Sequence, residues 1–277
     1  MNFYICTNVN NIHCISNTKI NTIMILKLKH FVIFITIVGF ASCKQKPQQL
    51  TKISGEQIEI GENFKEDSSI IKFVKPFKNR IDEVLDSTLA FAPSYISKTD
   101  GKLNTSAGNL MADAVLALSN PVFNARTGNN IDFVLLNHGG IRSPISIGKV
   151  TARTGYEVMP FENSVVVVGL NGKAIREMIA YLIKNKTPHP IAGIQIILNK
   201  DNSLSAVNIQ GKPFDEDQIY YVATSNYLVT GGDNMMFFEN HVSITETDYL
   251  IRNIMIDYFG KMDTIAPKVD DRFITLD

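Results

Sequence analysis

Residues 164–184, SVVVVGLNGKAIREMIAYLIK, change period in mid-stretch. SVVVVGL (164–170) is a β-branched run of strand length. Asn171-Gly172 is a turn signal, and beyond it Ile175, Met178, Ile179, Leu182 and Ile183 recur at helical spacing. A strand that passes within two residues into an amphipathic helix commits the chain to a core shared by both kinds of element. Three further strand-like runs, GIQIILN, SAVNIQG and IYYVATSNYL, are separated only by KDNS and GKPFDED. That is hairpin and meander spacing, because a parallel crossover needs a dozen or more residues. Helices and strands that mix without strict alternation predict an α+β fold with mixed β-sheets flanked by helices. They argue against a regular Rossmann or TIM barrel.

Upstream, Val74, Phe77, Ile81, Val84 and Leu85 predict a helix within Phe73–Leu89. Ser106 is a good cap for a second helix through AGNLMADAVLALSN, with Leu110, Ala114, Ala117 and Leu118 on one face. IDFVLLN (131–137) is predicted as a strand. Thr245 is predicted to cap a last helix running to about Phe259, with Asp248 in its first turn. Hydrophobic residues are 45% of the 277 and charged residues 19%, enough apolar material for a real core. Lys+Arg and Asp+Glu are both 27, and a net charge of zero argues against a nucleic-acid polymer as partner.

The front end reads differently. Lys27, Lys29 and His30 precede the apolar FVIFITIVGFAS (31–42), which is too short for a comfortable membrane span and ends in small residues before Cys43. This resembles a bacterial lipoprotein signal (24–43), with Cys43 as the lipidation site. An ordinary cleaved signal with Cys43 incidental is the alternative. Residues 1–23 are Asn/Ile-rich and aperiodic, as expected of an over-called extension ahead of a true start at Met24. Residues 44–69 are polar and read as a tether, with a short strand conceivable over Gln57–Ile60. The folded domain is expected over 70–277, and it contains no cysteine for disulfides or thiolate metal sites.

No catalytic engine is visible in that domain. His138, His189 and His241 lie at no metal-ligand spacing from one another or from carboxylates, and His189 and His241 are expected to be solvated loop residues. GxSxG, GxGxxG and P-loop patterns are absent, and nothing near Ser143 suggests a base. The predicted catalytic set and metal set are therefore both empty. What remains is three loops carrying glycine beside functional groups: NHGGIR (137–142), MPFENS (159–164) and SNYLVTGGDN (225–234). Taken singly, each reads as an ordinary turn or core aromatic.

Taken together with SAGNLMADA (106–114), MPFENSVVVV (159–168) and the Asn-Gly turn, these loops occur in an order and spacing similar to the C-terminal domain of 5′-nucleotidases and UDP-sugar hydrolases. The resemblance covers roughly 98–275 and implies a layered α/β/β/α domain forming the specificity half of such enzymes. It implies that Asn137 hydrogen-bonds the base, Arg142 holds the ribose-phosphate end, Phe161 and Tyr227 sandwich the base, and Asp233 accepts from the ribose hydroxyls. Gly139, Gly140, Gly231 and Gly232 would let the backbone turn tightly beside the ligand. Elementary chemistry agrees. Aromatic faces stack on any base, a forked guanidinium suits phosphate, and a carboxylate accepts well from a diol. Three positions depart from the family pattern: His138 stands for the first glycine of the loop, Tyr227 stands where Phe is frequent, and a second arginine upstream of the SAGN helix has no counterpart, Lys102 being nearby but no match.

In that family a separate N-terminal metallophosphoesterase domain holds two metals and hydrolyses the ester. The resemblance therefore implies a lipid-anchored specificity subunit of a split enzyme in a Gram-negative-type envelope. It would have a nucleoside or nucleotide ligand and a separately encoded metallophosphoesterase partner, and the divalent metals would reside in that partner. A stand-alone nucleotide-capturing or sensing lipoprotein is the alternative, and a degenerate structural relic is a third reading.

Overall fold

The computed structural model describes residues 17–41, 50, 52–59, 61 and 64–276. The chain divides into two compact units, Met1–Lys65 and Glu66–Asp277. In the first, α1 (Asn17–Ala41) runs without a break past Met24. Among the described residues no helix is long and apolar enough to cross a membrane. The lipidation site expected at Cys43 lies outside the described residues, and residues 57–59 form no strand.

The second unit contains α2 (Ser68–Leu85), β1 (Thr88–Ala92), α3 (Ser106–Thr127), β2 (Phe133–Leu135), β3 (Gly148–Thr151), α4 (Ala152–Val158), β4 (Ser164–Asn171) and α5 (Gly172–Asn185). There follow β5 (Ile191–Ala192), β6 (Ile194–Leu198), β7 (Leu204–Ile209), β8 (Lys212–Pro213), β9 (Ile219–Ser225), α6 (Asn226–Val229), β10 (Ser243–Leu250), α7 (Ile251–Lys261) and β11 (Phe273–Thr275). A five-stranded sheet has the order β10-β4-β9-β2-β5, and a four-stranded sheet the order β11-β6-β7-β8. Only the β2–β9 and β11–β6 pairs within these sheets are parallel. The α+β class with mixed sheets is thus the fold observed.

The central strands explain their own composition. Alternate residues of β4 face opposite cores: Val165 and Val167 on one side, Val168 and Leu170 on the other. Phe133 and Val134 of β2 divide in the same way, as do Val222 and Ala223 of β9. A strand buried on both faces reads as a continuous apolar run, which is what SVVVVGL is. One core lies against α3 and α7, the other against α5 and the four-stranded sheet.

Four expectations need correction. The run 219–228 does not continue the β6–β7 hairpin; β9 crosses into the centre of the larger sheet, where both of its faces are covered. It stops at Ser225, whose side chain accepts from the Tyr227 N–H and starts α6. The stretch from Thr245 is strand rather than helix, because Ile244, Thr245 and Thr247 are β-branched and residues 243–246 and 249–250 pair along the free edge of β4. The Thr247 hydroxyl donates to the Val165 carbonyl at 2.7 Å, and Asp248 sits in a bulge at φ 57° rather than in a first helical turn. That helix, α7, begins only at Ile251, whose N–H bonds to the Asn163 carbonyl at 2.9 Å.

The cap of α3 is Thr105, which accepts from the Gly108 N–H at 3.1 Å, while Ser106 turns inward to Asp100. The helix also runs through Pro121 to Thr127. Finally, α2 ends at Leu85 with Asp86 as its cap, and the following TLAFA pairs with β3, burying Ala90 and Ala92 on alternate positions.

Candidate functional site

Three chain exits meet at one place. Asn137, Gly139, Gly140, Arg142, Phe161, Asn163, Tyr227 and Asp233 line a cavity of about 320 Å³. The first four follow β2, the next two precede β4, and the last two follow β9. Since β2, β9 and β4 are neighbours in one sheet, its strand order brings the three loops together at one end. Asn163 was not anticipated, although it stands only two residues beyond Phe161 in the same loop.

Each wall has a local cause. Residues 138–140 form a 3-10 turn, and neither glycine there has a positive φ. Their small size serves Asn137: a Cβ on Gly140 would lie 3.1 Å from Asn137 Oδ1, and one on Gly139 3.4 Å from its Nδ2. Asn137 is nearly buried and donates through Nδ2 to Asp233 Oδ2 at 2.9 Å, so it ties the first loop to the third. Asp233 also accepts from the Tyr227 hydroxyl at 3.1 Å. A carboxylate has about four lone-pair positions, so acceptor capacity remains for a ligand.

The third loop bends sharply. Gly231, at φ 87°, needs the freedom of glycine, and Asp233 and Asn234 follow in left-handed conformations at 53° and 58°, which Asp and Asn tolerate best. At Gly232 the constraint is contact. A Cβ there would lie 2.5 Å from Tyr227 Cε1 and 2.6 Å from the Tyr227 carbonyl oxygen. Gly231 and Gly232 therefore shape the wall from behind rather than line the cavity.

The two rings keep exposed faces: Phe161 is 41% exposed and Tyr227 43%. The Arg142 guanidinium stands 5.7 Å from the Phe161 ring centroid and donates to the Gly139 carbonyl at 3.2 Å. This leaves most of its donors toward solvent.

Two supporting residues escaped the sequence reading. Arg252 of α7 is buried, stacks 4.4 Å from the Tyr156 ring centroid, and donates to the Pro160 carbonyl at 3.1 Å and to Glu162 Oε1 at 3.0 Å. It thereby grips the chain on both sides of Phe161. His189, expected in solvent, is buried instead. Its Nδ1 accepts from the His138 N–H at 3.2 Å, and its ring packs on Tyr181, whose hydroxyl donates to the Asp233 carbonyl at 2.9 Å. Burial pushes the His189 imidazole down to about 4, outweighing the opposing pull of the Asp233 charge, so the ring is neutral with its proton on Nε2. Burial, helped by Asp233, raises the Tyr181 phenol above its ordinary value and keeps it a donor.

His138 bonds through Nε2 to the Lys98 carbonyl at 3.2 Å, and Lys98 Nζ donates to the Ile141 carbonyl at 2.7 Å. Lys98 is thus the cation upstream of α3 that touches the first loop. Lys102 lines a different cavity, of about 550 Å³, with Lys186 and Asn202. His241 is half-buried and bonds to the Phe238 carbonyl at 2.8 Å. Among the described residues no three His, Cys, Asp or Glu side chains gather to hold a metal. The site offers two aromatic faces, a forked cation and a carboxylate, which suits recognition of a flat ring joined to a diol and an anion.

Comparison with known proteins agrees with that shape. Residues 87–240 match the family described as 5′-nucleotidase, C-terminal domain. Among curated relatives, protein UshA of Escherichia coli is 27% identical over 220 residues, covering 76% of this chain and 37% of UshA. The trifunctional nucleotide phosphoesterase protein YfkN of Bacillus subtilis is 25% identical over 270 residues, covering 90% of this chain and 18% of YfkN. The chain thus spans well under half the length of these relatives. Among solved structures, the 5′-nucleotidase precursor from Thermus thermophilus superposes with a TM-score of 0.62 at 21% identity, covering 76% of this chain and 42% of that one. The NAD nucleotidase of Haemophilus influenzae gives a TM-score of 0.55 at 17% identity, with the same two coverages of 76% and 42%.

Proposed function

Because this chain belongs to the 5′-nucleotidase C-terminal domain family, we propose that it is the substrate-binding half of a nucleotide phosphohydrolase whose hydrolytic half is a separately encoded metallophosphoesterase. The observation that carries this reading is the convergence of Phe161, Tyr227, Arg142, Asn137 and Asp233 on one cavity from three separate loops. The base enters between Phe161 and Tyr227, each contributing about 1–3 kcal/mol by stacking. Asn137 stands beside its edge, Asp233 accepts from the ribose hydroxyls, and Arg142 swings from Phe161 to the phosphate, where its fork matches two oxygens.

The chemistry of the bond cleavage belongs to the partner in this proposal. Divalent metals there would supply a hydroxide and polarise the phosphoryl group. The residues of this chain hold the nucleoside end, fix its distance from that centre and exclude water from the base. Attachment to a membrane of the cell envelope through lipidated Cys43 would keep the complex where extracytoplasmic nucleotides arrive.

Titration calorimetry of the full chain with AMP and adenosine tests the pocket. Saturable binding is expected, and Phe161→Ala with Tyr227→Ala should lower affinity at least tenfold, since about 1.4 kcal/mol suffices for that factor. AMP binding that ignores both substitutions would overturn the assignment. Hydrolysis of AMP by a separately encoded metallophosphoesterase from the same organism, measured with and without this chain, tests the division of labour. A partner that neither binds this chain nor gains activity from it would sink the two-chain reading while leaving the pocket intact.

A further inference from the structure

The helix α2 is the least supported element of the second unit. It is 18 residues long and has no buried residue. Ile70, Phe73, Val74, Phe77, Ile81 and Val84 recur at i, i+3, i+4, i+7, i+11 and i+14 and form one apolar stripe, all of it exposed. Phe73 and Phe77 pair along it, with ring centroids 5.6 Å apart. Pro76 stands inside the helix and removes a backbone N–H from its ladder. In proteins most helical stability comes from packing of the apolar face, and Pro76 weakens this helix further, so a surface that covers the stripe would hold it.

The charges say which surface. Between Ser68 and Ile81 the helix carries Lys72, Lys75, Lys78 and Arg80 and no acid. Lys78 and Arg80 fall on the two borders of the stripe, where long cationic side chains reach past an apolar layer to headgroups. Glu66 and Asp67 precede the first turn, and Asp67 is engaged in capping it. The remaining acids lie at the other end and are already matched: Asp82 and Asp86 with Arg153 of α4, Glu83 with Arg80. Among the described residues none of Lys72, Lys75 and Lys78 has an acidic partner. One end of α2 is therefore fastened to the domain, and the rest presents Phe, Ile and Val bordered by Lys78 and Arg80, with the unpaired Lys72 and Lys75 on the polar face behind them.

We infer that α2 lies in the interface of an anionic lipid bilayer, its apolar stripe among the acyl chains and its lysines among the headgroups. This is the composition of a helix that rests on a membrane rather than spans it. Docked so, α2 would fix the orientation of the whole second unit against the membrane, a role independent of nucleotide binding.

The chain contains no tryptophan, so Phe77→Trp in the full-length protein gives a fluorophore that reports α2 alone. Whatever attaches the rest of the chain to a vesicle stays constant. With vesicles of phosphatidylglycerol and phosphatidylcholine, the emission should shift to the blue and be quenched by brominated acyl chains. The shift should weaken with pure phosphatidylcholine, at about 1 M salt, where the screening length falls to about 3 Å, and in Lys72→Glu/Lys75→Glu in the same background. An unshifted, unquenched emission with anionic vesicles would overturn the inference. So would a blue shift already present without lipid, whether it grows with protein concentration, as for a second copy, or appears on adding the metallophosphoesterase chain.

Discussion

His189 offers the sharpest test of how the pocket is held. Its Nδ1 accepts the His138 N–H, and burial keeps the imidazole neutral by pushing it from 6.5 down to about 4. In the unfolded chain the same ring titrates near its ordinary value of about 6.5. Between those two values the unfolded chain takes up a proton that the folded chain refuses, so stability falls as pH falls. The penalty is absent above about 6.5, grows by about 1.4 kcal/mol per unit through the window, and totals about 3 kcal/mol near pH 4. Protonation would also place a second N–H against that of His138, replacing a hydrogen bond by two opposed donors.

The perturbation is His189→Asn. Its amide oxygen can accept from His138, but the side chain does not titrate. At pH 7.5 the variant should be less stable by about 1–2 kcal/mol, the usual cost of lost ring packing at a buried site. Urea unfolding at a series of pH values from 7.5 to 4 then compares the two proteins. Other titrating groups act equally on both, so the wild-type curve should descend toward the variant curve and meet or cross it by about pH 4.5. Parallel curves would refute the argument, because they would mean that His189 is protonated at no greater cost in the fold than in the unfolded chain.

Gly232→Ala should weaken AMP binding by about 1–3 kcal/mol, the worth of one stack, because its Cβ meets Tyr227 at 2.5 Å and the backbone cannot yield. Calorimetry showing unchanged affinity would mean that the Tyr227 ring is not set by this contact. Gly139→Ala, whose Cβ would stand 3.4 Å from the Asn137 amide, should by contrast bind AMP within a few-fold of wild type, as surface-like changes of about 0.5 kcal/mol do. Arg252→Lys keeps the charge but cannot reach both Pro160 and Glu162. It should cost about 1–3 kcal/mol in urea unfolding and lower AMP affinity by loosening Phe161, and a variant as tight as wild type would show that the grip is dispensable. Tyr227→Phe retains the ring and removes only the donor to Asp233, so its affinity should change by no more than about 1.5 kcal/mol.

The parts of the fold that were legible in the sequence are those whose burial is written locally. The stripe of α5 and the two-sided burial of β4 fix period and composition within a dozen residues, and those elements stand where the pattern put them. SITETDYL misled because Thr245 and Asp248 mimic the start of a helix, whereas the strand conformation is imposed by pairing with β4, about eighty residues away in sequence. The destination of β9 was hidden for the same reason. Nothing in IYYVATS says which sheet it joins, only that both its faces need cover.

The candidate site divides along the same line. Its lining groups sit in short glycine-bearing loops that look like ordinary turns one at a time, and only their joint order singles them out. The residues that hold those loops were invisible, because their meaning is entirely in partners far along the chain. His189 reaches His138 across 51 residues, and Arg252 reaches Pro160 across 92. A histidine between two prolines and an arginine in a helix carry no local mark of either task. The same reasoning runs in reverse for α2, whose apolar spacing was as legible as that of α5 and predicted a helix without saying what would cover it. The structure gives α5 a sheet to cover and gives α2 none, so equal patterns lead to unequal burial. What separates the two helices in sequence is the placement of charge: α2 gathers its cations on three successive turns and its acids on the last, and a core-facing helix has no need of that arrangement.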